Sequence, residues 1–510
     1  MKALCIAAIL LVSQFVTQAK DIILYPVEKT AVRSIAFAVT VNGQPVFTQK
    51  FKDINYVNFA HSGNVSVSII CTGAAAGATI SPEKDITEKS VAGNTISFRV
   101  SKPGYHVITL PNNERLFILI DNPEHLKKAK LNKWVSVLQY GADSTGEKLC
   151  TASIQKALDE TAKQKKTLYF PAGVYKTGMI QVPSNAKIFL CPGALVKGSE
   201  NRDDYPVDAG RKESDLIHDK EHYTDNGEWM TFSRLILIDN AADIKIWGCG
   251  TIDGSGSILR AQGKPANLIR IRNSKNVWID GLTLRDPAAW NTHILYSENI
   301  TVSNIKMIND RTVANTDGFD PDASKHVKIS HCFAYCSDDN IAIKTSNNSG
   351  LLQDCRDITI DGCVFLTKKS SLKIGTETKA ALMSGISFTN NYVVEADRGM
   401  ALYCSDGAVF DNIRFENNYF EKGFPDSQKK GIHFQVRNRS GAGQIKNVLI
   451  RNCTFSNAFH NTSAMEGLDA AHTINGIKFK NVIVDGKVCL TAGDLHLKTN
   501  EFVQNLSFEK

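Results

Sequence analysis

A short phrase recurs nine times between residues 242 and 484, and each copy consists of an apolar strand, a polar or Gly/Asn turn and a second strand. One coil of this kind cannot bury its apolar face alone, so the copies must stack to form a continuous core. Their spacing varies from 23 to 35 residues, which indicates coils joined by loops of different lengths. We therefore predict a parallel β-helix whose first core positions are Ile244, Val277, Ile300, Val327, Ile358, Ile386, Ile413, Val448 and Ile477.

Leucine-rich repeats are the alternative repeat class, but their Leu-x-x-Leu-x-Leu frame is missing here and β-branched residues dominate. Two earlier phrases, KTLYFPAGVYKTG and AKIFLCPGALVKGS, extend the stack upstream. The segment before them is predicted to be an amphipathic helix from Ser153 to Lys163 that covers the open N-terminal end of the stack. Four apolar residues lie on one face of this helix: Ile154, Ala157, Leu158 and Ala162.

The chain before the repeats divides into three segments. Residues 1–19 hold one lysine, an apolar stretch and small residues at the end, which predicts a cleaved signal peptide and a secreted or periplasmic protein. An uncleaved anchor is the weaker alternative, because about 14 apolar residues fall short of the roughly 20 that span a bilayer. Short stretches of alternating apolar and polar residues in residues 21–122 predict a small β-sandwich. The charged residues 123–133 are predicted to be a linker, and residues 134–510 are predicted to form the β-helix domain. The predicted fold class is thus all-β, a right-handed parallel β-helix preceded by a small N-terminal β-sandwich.

Charge and cysteine content exclude several functions. The chain has 59 Lys and Arg against 52 Asp and Glu, and no dense basic run occurs, so we predict no nucleic-acid partner. The twelve cysteines include no CxxC pair, which argues against a metal site or a full disulfide framework. We predict no cofactor, no metal and no membrane span in the mature chain, and the sequence gives no indication of oligomeric state.

The densest group of carboxylates in the repeats lies in NTDGFDPDASKHVKISHCFAYCSDDNIAIK. Asp317 belongs to one coil, and Asp338 and Asp339 belong to the next, about 4.8 Å away in a parallel stack. When carboxyl groups lie this close together, the pKa of at least one of them rises, so one group remains a proton donor while another stays a base. Glycoside hydrolysis needs this division, and inverting enzymes keep acid and base roughly 6.5–9.5 Å apart to admit a water.

Two other interpretations of these aspartates remain open. Aspartate is common in β-helix turns for its turn-forming chemistry alone. Hard oxygen ligands also suit Ca²⁺, in which case a polysaccharide lyase would be the natural class. The residues that would form such a calcium site are Asp317, Asp320, Asp322, Asp338 and Asp339.

From residue 135 onward the chain resembles glycoside hydrolase family 28, the polygalacturonase family. The family's phrases occur in order, including VLQYGADSTGEK, GCGTIDGSG, NTDGFDPDAS and SDDNIAIK. The resemblance implies that Asp338 is the general acid and that Asp317 and Asp339 position and deprotonate the water, with inversion at the anomeric carbon.

Two family positions differ in this chain. Ser370 and Ser371 stand where the family's GHG motif has its histidine and second glycine, and Ala401, Leu402 and Tyr403 stand where it has the RIK motif that binds a galacturonate carboxylate. Binding of polygalacturonate itself is therefore less strongly indicated. Candidate substrate-binding residues near the aspartates are Asn315, Lys344, Lys373, Glu377, Arg398 and Tyr403, while Trp290, His293 and His433 are weaker candidates.

The predicted function is an inverting O-glycosyl hydrolase that acts on a pectin-like polysaccharide or oligosaccharide containing galacturonate or rhamnose. The alternatives are a hydrolase of a neutral α-glucan resembling the dextranases of family 49, a β-helical polysaccharide lyase, and a non-catalytic carbohydrate-binding protein.

Overall fold

The computed structural model of the protein describes residues 22–123, 134–206, 233–263, 266–346, 353–424, 427–458 and 463–510. The predicted signal peptide and all but the first residue of the predicted linker lie outside these ranges. The chain forms two compact units, Met1–Ala129 and Lys130–Lys510. Within the described ranges, no helix has the length and apolar character needed to cross a membrane.

The first unit is a small β-sandwich, as predicted. Strand Val65–Cys71 alternates buried and accessible residues, so that one face of its sheet packs into a shared apolar core. One sheet contains, in spatial order, Val32–Arg33, Gln49–Phe51, Ile54–Ala60, Arg115–Asp121, Gly104–Thr109 and Thr79–Ser81, with Ile23–Leu24 also paired to Ile54–Ala60. The other contains Gln44–Val46, Phe37–Val41, Val65–Cys71, Thr95–Val100 and Ile86–Ala92.

The second unit is a right-handed parallel β-helix with three sheets, also as predicted. Sheet 1 contains Val135–Ser136, Thr167–Phe170, Lys187–Leu190, Ala242–Gly248, Lys275–Asp280, Glu298–Ser303, Lys325–Ser330, Cys355–Asp361, Leu382–Thr389, Val409–Glu416, Gln444–Arg451, Ile474–Lys480 and Val503–Glu509. Sheet 2 contains Thr145–Leu149, Gly173–Thr177, Ala194–Gly198, Thr251–Asp253, Thr283–Arg285, Lys306–Ile308, Phe333–Cys336, Val364–Thr367, Tyr392–Ala396, Tyr419–Gly423, Thr454–Ala458, Ile483–Val484 and Lys487–Val488. Sheet 3 contains Ile180–Gln181, Ser233–Asp239, Ala266–Arg272, Thr292–Leu295, Phe319–Asp322, Ile341–Thr345, Ser370–Thr378, Arg398–Cys404, Lys430–Val436, Ser463–Glu466 and Leu497–Thr499.

The nine predicted core positions form one continuous column in sheet 1. Each pairs in register with the next, from Ile244 opposite Val277 to Val448 opposite Ile477. All nine side chains are at most 2% exposed. The irregular sequence spacing therefore reflects loop length alone, because the register of the coils is constant.

Helices close the N-terminal end and occur in the loops. The predicted cap is an α-helix, Thr151–Lys163, whose four predicted apolar residues lie in the same core as the coils. The other described helices are the short α-helix Gly256–Ala261 and the 3₁₀ helices Val137–Tyr140 and Arg202–Asp204.

Sheet 3 has a polar outer face. Ile341 and Ile343 point into the core, so the alternating Ala342 and Lys344 point outward. The same alternation places the outward residues of successive strands side by side on this face. The turns that precede the strands of sheet 3 border the face along one edge.

Candidate active site

The three predicted catalytic aspartates precede two adjacent strands of sheet 3. Asp317 lies two residues before Phe319–Asp322, and Asp338 and Asp339 lie just before Ile341–Thr345. One carboxylate oxygen from each of the three lies within 4.8 Å of the others. Stacking of two coils thus brings together residues that are 21 and 22 positions apart in sequence. We call these three residues the trio.

The separation within the trio is shorter than the 6.5–9.5 Å that inverting glycosidases generally keep between acid and base. The two turns approach closely because the Gly318 amide donates a 2.8 Å hydrogen bond to the Asp339 carbonyl oxygen. A water that donates bonds of about 2.8 Å to two carboxylates holds their oxygens about 4.5 Å apart. A water that bridges Asp317 and Asp339 therefore requires a separation close to the 4.8 Å upper limit for these oxygens.

Asp339 is held as a carboxylate by two strong donors. Its Oδ1 accepts the Ser370 amide at 2.8 Å, and its Oδ2 accepts the Lys373 ammonium at 2.6 Å. Burial alone would raise the pKa of Asp339, but the charges of Lys373 and Arg398 and these hydrogen bonds outweigh it and lower the pKa. Asp339 is therefore the ionised member of the trio.

Asp338 has the opposite environment. It is the least buried of the trio, and its Oδ1 accepts the backbone amide of Asp339 at 2.9 Å. Burial raises the pKa of Asp338, and the negative charge of Asp339 raises it further. Two adjacent carboxyl groups with pKa values pushed apart have the arrangement that acid–base catalysis requires.

Asp317 shares one ammonium group with a second buried carboxyl group. Lys344 Nζ lies 3.4 Å from Asp317 Oδ2 and 2.9 Å from Asp320 Oδ1. Burial raises the pKa of Asp317 well above its usual range, against the effect of Lys344, and raises the pKa of Asp320 to about 6. The ionisation of Asp317 therefore depends on its contact with Lys344.

Lys344 is enclosed by further groups. Its ammonium lies 4.0 Å from Glu377 Oε2 and 3.7 Å from the centre of the Trp290 ring. These groups occupy the outward face beside Asp317. Lys344 is 4% exposed, so its main contacts are with the protein's own carboxylates and this ring.

Asn315 belongs to the turn that carries Asp317. It has a left-handed backbone with φ 57°, which asparagine tolerates. Its Oδ1 accepts a 3.0 Å hydrogen bond from Arg260, which also donates to the carbonyl oxygen of Ala288. Arg260 was not predicted from the sequence, because nothing in GSGSILRA distinguishes it from a surface arginine.

The remaining candidates line sheet 3 beyond the trio. Arg398 pairs with Asp397 at 3.2 Å and donates to the Ser370 hydroxyl at 3.0 Å. The Tyr403 hydroxyl and His433 Nδ1 are 2.7 Å apart. Burial lowers the pKa of His433 to about 3, so this imidazole is neutral at ordinary pH.

Two weaker candidates, His293 and Trp290, contact each other, and the Trp290 ring also lies against Lys344. His293 is 1% exposed, and its Nε2 lies 3.1 Å from Asp322 Oδ2, while the ring of Trp290 packs against it edge to face. Burial lowers the pKa of His293 to about 3. Asp322 also accepts the Ser346 amide at 2.7 Å.

The five aspartates of the calcium hypothesis do not form one cradle in the described part of the chain. Among the described residues, the trio is the only group of three or more potential ligands whose atoms lie within 4.8 Å of one another, while Asp322 faces His293 and Ser346. The ammonium groups of Lys344 and Lys373 already provide positive charge beside the trio.

The residues at the altered family positions have defined contacts. The Ser370 amide donates to Asp339, and the Ser371 hydroxyl donates to Asn340 Oδ1 at 3.2 Å. Ala401 is the register partner of both Lys373 and His433. The contribution of Ser370 was not predicted, because a backbone amide leaves no signal in the residue type.

Comparison with protein families gives two matches on the β-helix. Residues 211–432 match the model of the Glycosyl hydrolases family 28, and residues 134–189 match that of Rhamnogalacturonase A/epimerase, pectate lyase-like. A probable polygalacturonase of Vitis vinifera is 30% identical over 224 residues, which cover 41% of this chain and 44% of that protein. The chain spans between 44% and 68% of the length of three curated relatives that it matches.

Solved structures share the fold over nearly the whole chain. The family 28 exopolygalacturonase of Yersinia enterocolitica has a TM-score of 0.55 at 15% identity, with 94% of this chain and 95% of that chain covered. Dex49A from Penicillium minioluteum has a TM-score of 0.57 at 13% identity, with 96% and 98% covered. This chain thus shares its fold with both of these proteins, while the sequence matches favour family 28. Over residues 211–432 the β-helix of this chain is thus similar to the glycosyl hydrolases of family 28.

Proposed function

We propose that the protein is a glycoside hydrolase that cleaves glycosidic bonds of a pectin-like polysaccharide or oligosaccharide containing galacturonate or rhamnose. One observation carries the proposal: three carboxyl groups converge within 4.8 Å beside the outward face of sheet 3, with the pKa of Asp338 raised and that of Asp339 lowered. If these aspartates only formed turns, their carboxyl groups would not need to be buried or to have pKa values shifted in opposite directions.

In the proposed reaction Asp338 donates its proton to the glycosidic oxygen as the bond to the anomeric carbon breaks. Asp339 accepts a proton from a water that attacks this carbon, and Asp317 holds the same water through its second hydrogen. The products are a new hydroxyl group on the leaving sugar and a new reducing end. The enzyme returns to its starting state when the proton on Asp339 is lost and Asp338 is protonated again.

Inversion at the anomeric carbon rests on the family resemblance. The short carboxylate separation would by the general rule favour retention, where roughly 5–5.5 Å separates nucleophile and acid. In the proposed reaction a water held between Asp317 and Asp339 is the nucleophile, so neither side chain attacks the sugar and the configuration at the anomeric carbon inverts.

The substrate class comes from the relatives. The matched protein from Vitis vinifera is named as a polygalacturonase, and the N-terminal coils match a rhamnogalacturonase model. Both names concern pectic polymers. A lyase would need a cation at the uronate carboxylate, and Asp317 and Asp339 are instead paired with lysines, which favours hydrolysis.

We also propose secretion or export to the periplasm, and the division into a signal peptide of residues 1–19, a sandwich of residues 21–122, a linker of residues 123–133 and a catalytic β-helix of residues 134–510. Support comes from the composition of the first nineteen residues and from the sandwich strands between Ile23 and Asp121.

The Asp338→Asn variant tests the catalytic assignment. Asn cannot donate the proton that the leaving oxygen needs, so we expect reducing-end release from pectic oligosaccharides to fall by at least a hundredfold, with circular dichroism unchanged. The matched control is Asp243→Asn, which makes the same chemical change at a surface position of sheet 1 with φ 61° that Asn tolerates. Full activity of Asp338→Asn would exclude Asp338 as the acid.

A further inference from the structure

The first residues of three successive strands of sheet 3 continue the line of the trio along the axis of the β-helix. Ser370 pairs in register with Arg398, and Arg398 pairs in register with Lys430. Ser370 also contacts the trio, because its amide donates a 2.8 Å hydrogen bond to Asp339 Oδ1. A glycan chain that crosses the trio and follows this edge of sheet 3 therefore meets Arg398 and then Lys430.

The charged groups of these two residues lie over the outward face of sheet 3. Lys430 Nζ lies 3.4 Å from His433 Nε2, and Arg398 Cζ lies 5.9 Å from the centre of the Tyr403 ring. Both residues are half-buried, so their side chains are open to solvent in part. We call Arg398, Lys430 and His433 the basic edge.

Lys430 carries a positive charge that no protein carboxylate neutralises within the described part of the chain. An ammonium group has three donor hydrogens, and the contact with His433 Nε2 uses one of them, so two are left for a ligand. The neighbouring imidazole reports the surplus of positive charge. Burial lowers the pKa of His433 to about 3, and the charges of Lys430, Arg398 and Arg437 lower it in the same direction.

The carboxylates close to the basic edge already have other donors. Asp397 Oδ1 accepts the amides of Gln428 at 2.6 Å and Lys429 at 3.2 Å, and its Oδ2 lies 3.2 Å from Arg398. Glu466 accepts a 2.9 Å hydrogen bond from Gln435. A carboxylate of a ligand would therefore gain a charge-assisted hydrogen bond from Lys430 without displacing a carboxylate of the protein.

The basic edge lies at a defined distance from the trio. The strand of Lys430 is the third one in sheet 3 after Ile341–Thr345, the strand that follows Asp338 and Asp339. Adjacent strands are about 4.8 Å apart, so the separation along the axis is about 14 Å. A pyranose unit is comparable in length to one coil spacing. The third glycosyl unit from the cleaved bond therefore reaches Lys430.

We propose that the basic edge binds the carboxylate of a uronate unit three positions from the cleaved bond, with Lys430 as the specificity-determining residue and Arg398 beside it. This inference rests on the proposed function and narrows its substrate to acidic chains that extend at least three units beyond the bond on the side of Lys430. Ala401, Leu402 and Tyr403 stand where the family has its RIK motif. The basic edge supplies carboxylate recognition farther along the same face.

Calorimetry on the Asp338→Asn variant tests this inference independently of turnover. The probes are hexagalacturonate and the same hexasaccharide with every carboxyl group reduced to a primary alcohol. Adding Lys430→Gln should raise the Kd of the acidic probe about threefold to fivefold, as the loss of a partly exposed ion pair implies, and should leave the Kd of the reduced probe unchanged. An unchanged Kd of the acidic probe, or an equal rise for both probes, would overturn the inference.

Two further substitutions assign the effect to the charge of Lys430. Lys430→Arg keeps the positive charge and should retain the affinity for the acidic probe. The control Lys328→Gln makes the same change of charge at an exposed position of sheet 1 and should change neither Kd. A rise in Kd with Lys328→Gln as large as that with Lys430→Gln would refute a local site, because net charge alone would then explain the effect.

Turnover separates this inference from the proposed function. Wild-type enzyme acting on end-labelled hexagalacturonate should leave at least three units on one fixed side of the cleaved bond, and Lys430→Gln should move cleavage toward that end. Identical cleavage positions in both enzymes would refute the basic edge and leave the hydrolase intact. Hydrolysis of no pectic substrate would refute the hydrolase, and the calorimetric comparison of the two probes would then decide the chemistry of the basic edge.

Discussion

Replacing Lys373 by methionine should move the pH dependence of the reaction. Lys373 Nζ lies 2.6 Å from Asp339 Oδ2, and its side chain is 12% exposed, so solvent screens this pair weakly. An opposite charge this close stabilises a carboxylate by one to three pKa units, about 1.4–4 kcal/mol. Methionine keeps the length and apolar stem of lysine but removes the charge. The base Asp339 will then be protonated at a higher pH than in the wild type.

The magnitude follows from the fraction of ionised base. A shift of about two pH units in the acid limb lowers kcat/KM about fiftyfold at the wild-type midpoint, and the loss disappears at pH values well above the new midpoint. The basic limb should move up as well, because Lys373 also lowers the pKa of Asp338. A pH–rate profile between pH 3 and 9 measures both limbs.

The same substitution makes a prediction for stability. The folded pKa of Asp339 is lowered, so its ionised form stabilises the fold above the unfolded pKa, and this contribution is lost as the pH falls through the folded pKa. The destabilisation caused by Lys373→Met should therefore be largest near pH 7 and shrink at acidic pH. Lys328→Met, which changes an exposed lysine of sheet 1, is the control. A Lys373→Met profile that superimposes on the wild-type profile would refute the electrostatic role of Lys373.

Two further predictions concern the scaffold. Ile358→Ala should lower the free energy of unfolding, measured by urea titration, by about 2–5 kcal/mol, because Ile358 is fully buried in the core column. The control Lys328→Ala, on the outer face of the same sheet, should change this free energy by less than about 0.5 kcal/mol. Arg311 bonds Glu395 at 3.0 Å with both side chains buried, and Lys422 lies farther from Glu395, at 3.8 Å, so Arg311→Met should cost about 3–5 kcal/mol. The double substitution Arg311→Met with Glu395→Met should cost less, since it removes the buried carboxylate together with its nearest cation; a double variant less stable than Arg311→Met would contradict this.

The fold was largely predictable because its signal is repeated. The positions from Ile244 to Ile477 each carry a weak preference for a buried strand, and nine copies of one phrase make the assignment firm. Their register could be predicted because every coil must present its β-branched residue to the same core. The pairing of Asp317 with the following coil could be predicted for the same reason.

Asparagines in the turns of the repeated phrase have two roles in the structure. Asn304 and Asn452 have the left-handed backbone that sharp bends require, with φ 53° and 51°. Asn391 and Asn418 lie instead inside the stack, where the Asn391 side-chain amide donates to Asn418 Oδ1 at 3.0 Å. The same residue type therefore serves two purposes, and one sequence does not separate them.

The electrostatics of the site could not be predicted from residue types. Lys344 and Lys373 are both lysines that follow the aspartates, and only the structure assigns one to Asp317 and the other to Asp339. The ionisation of each carboxyl group depends on these distances of a few ångströms. The backbone amide of Ser370 and the side chain of Arg260 likewise act through position alone.

The central claim is that Asp317 and Asp339 direct a water to the anomeric carbon while Asp338 protonates the leaving oxygen. Proton NMR of the first products formed from a pectic oligosaccharide tests it most directly, because one spectrum reports the bond that forms. We predict that the anomeric proton of the inverted reducing end appears first and that the other anomer grows later by mutarotation. A retained anomer formed first, or a vinyl proton of an unsaturated uronide, would contradict this mechanism.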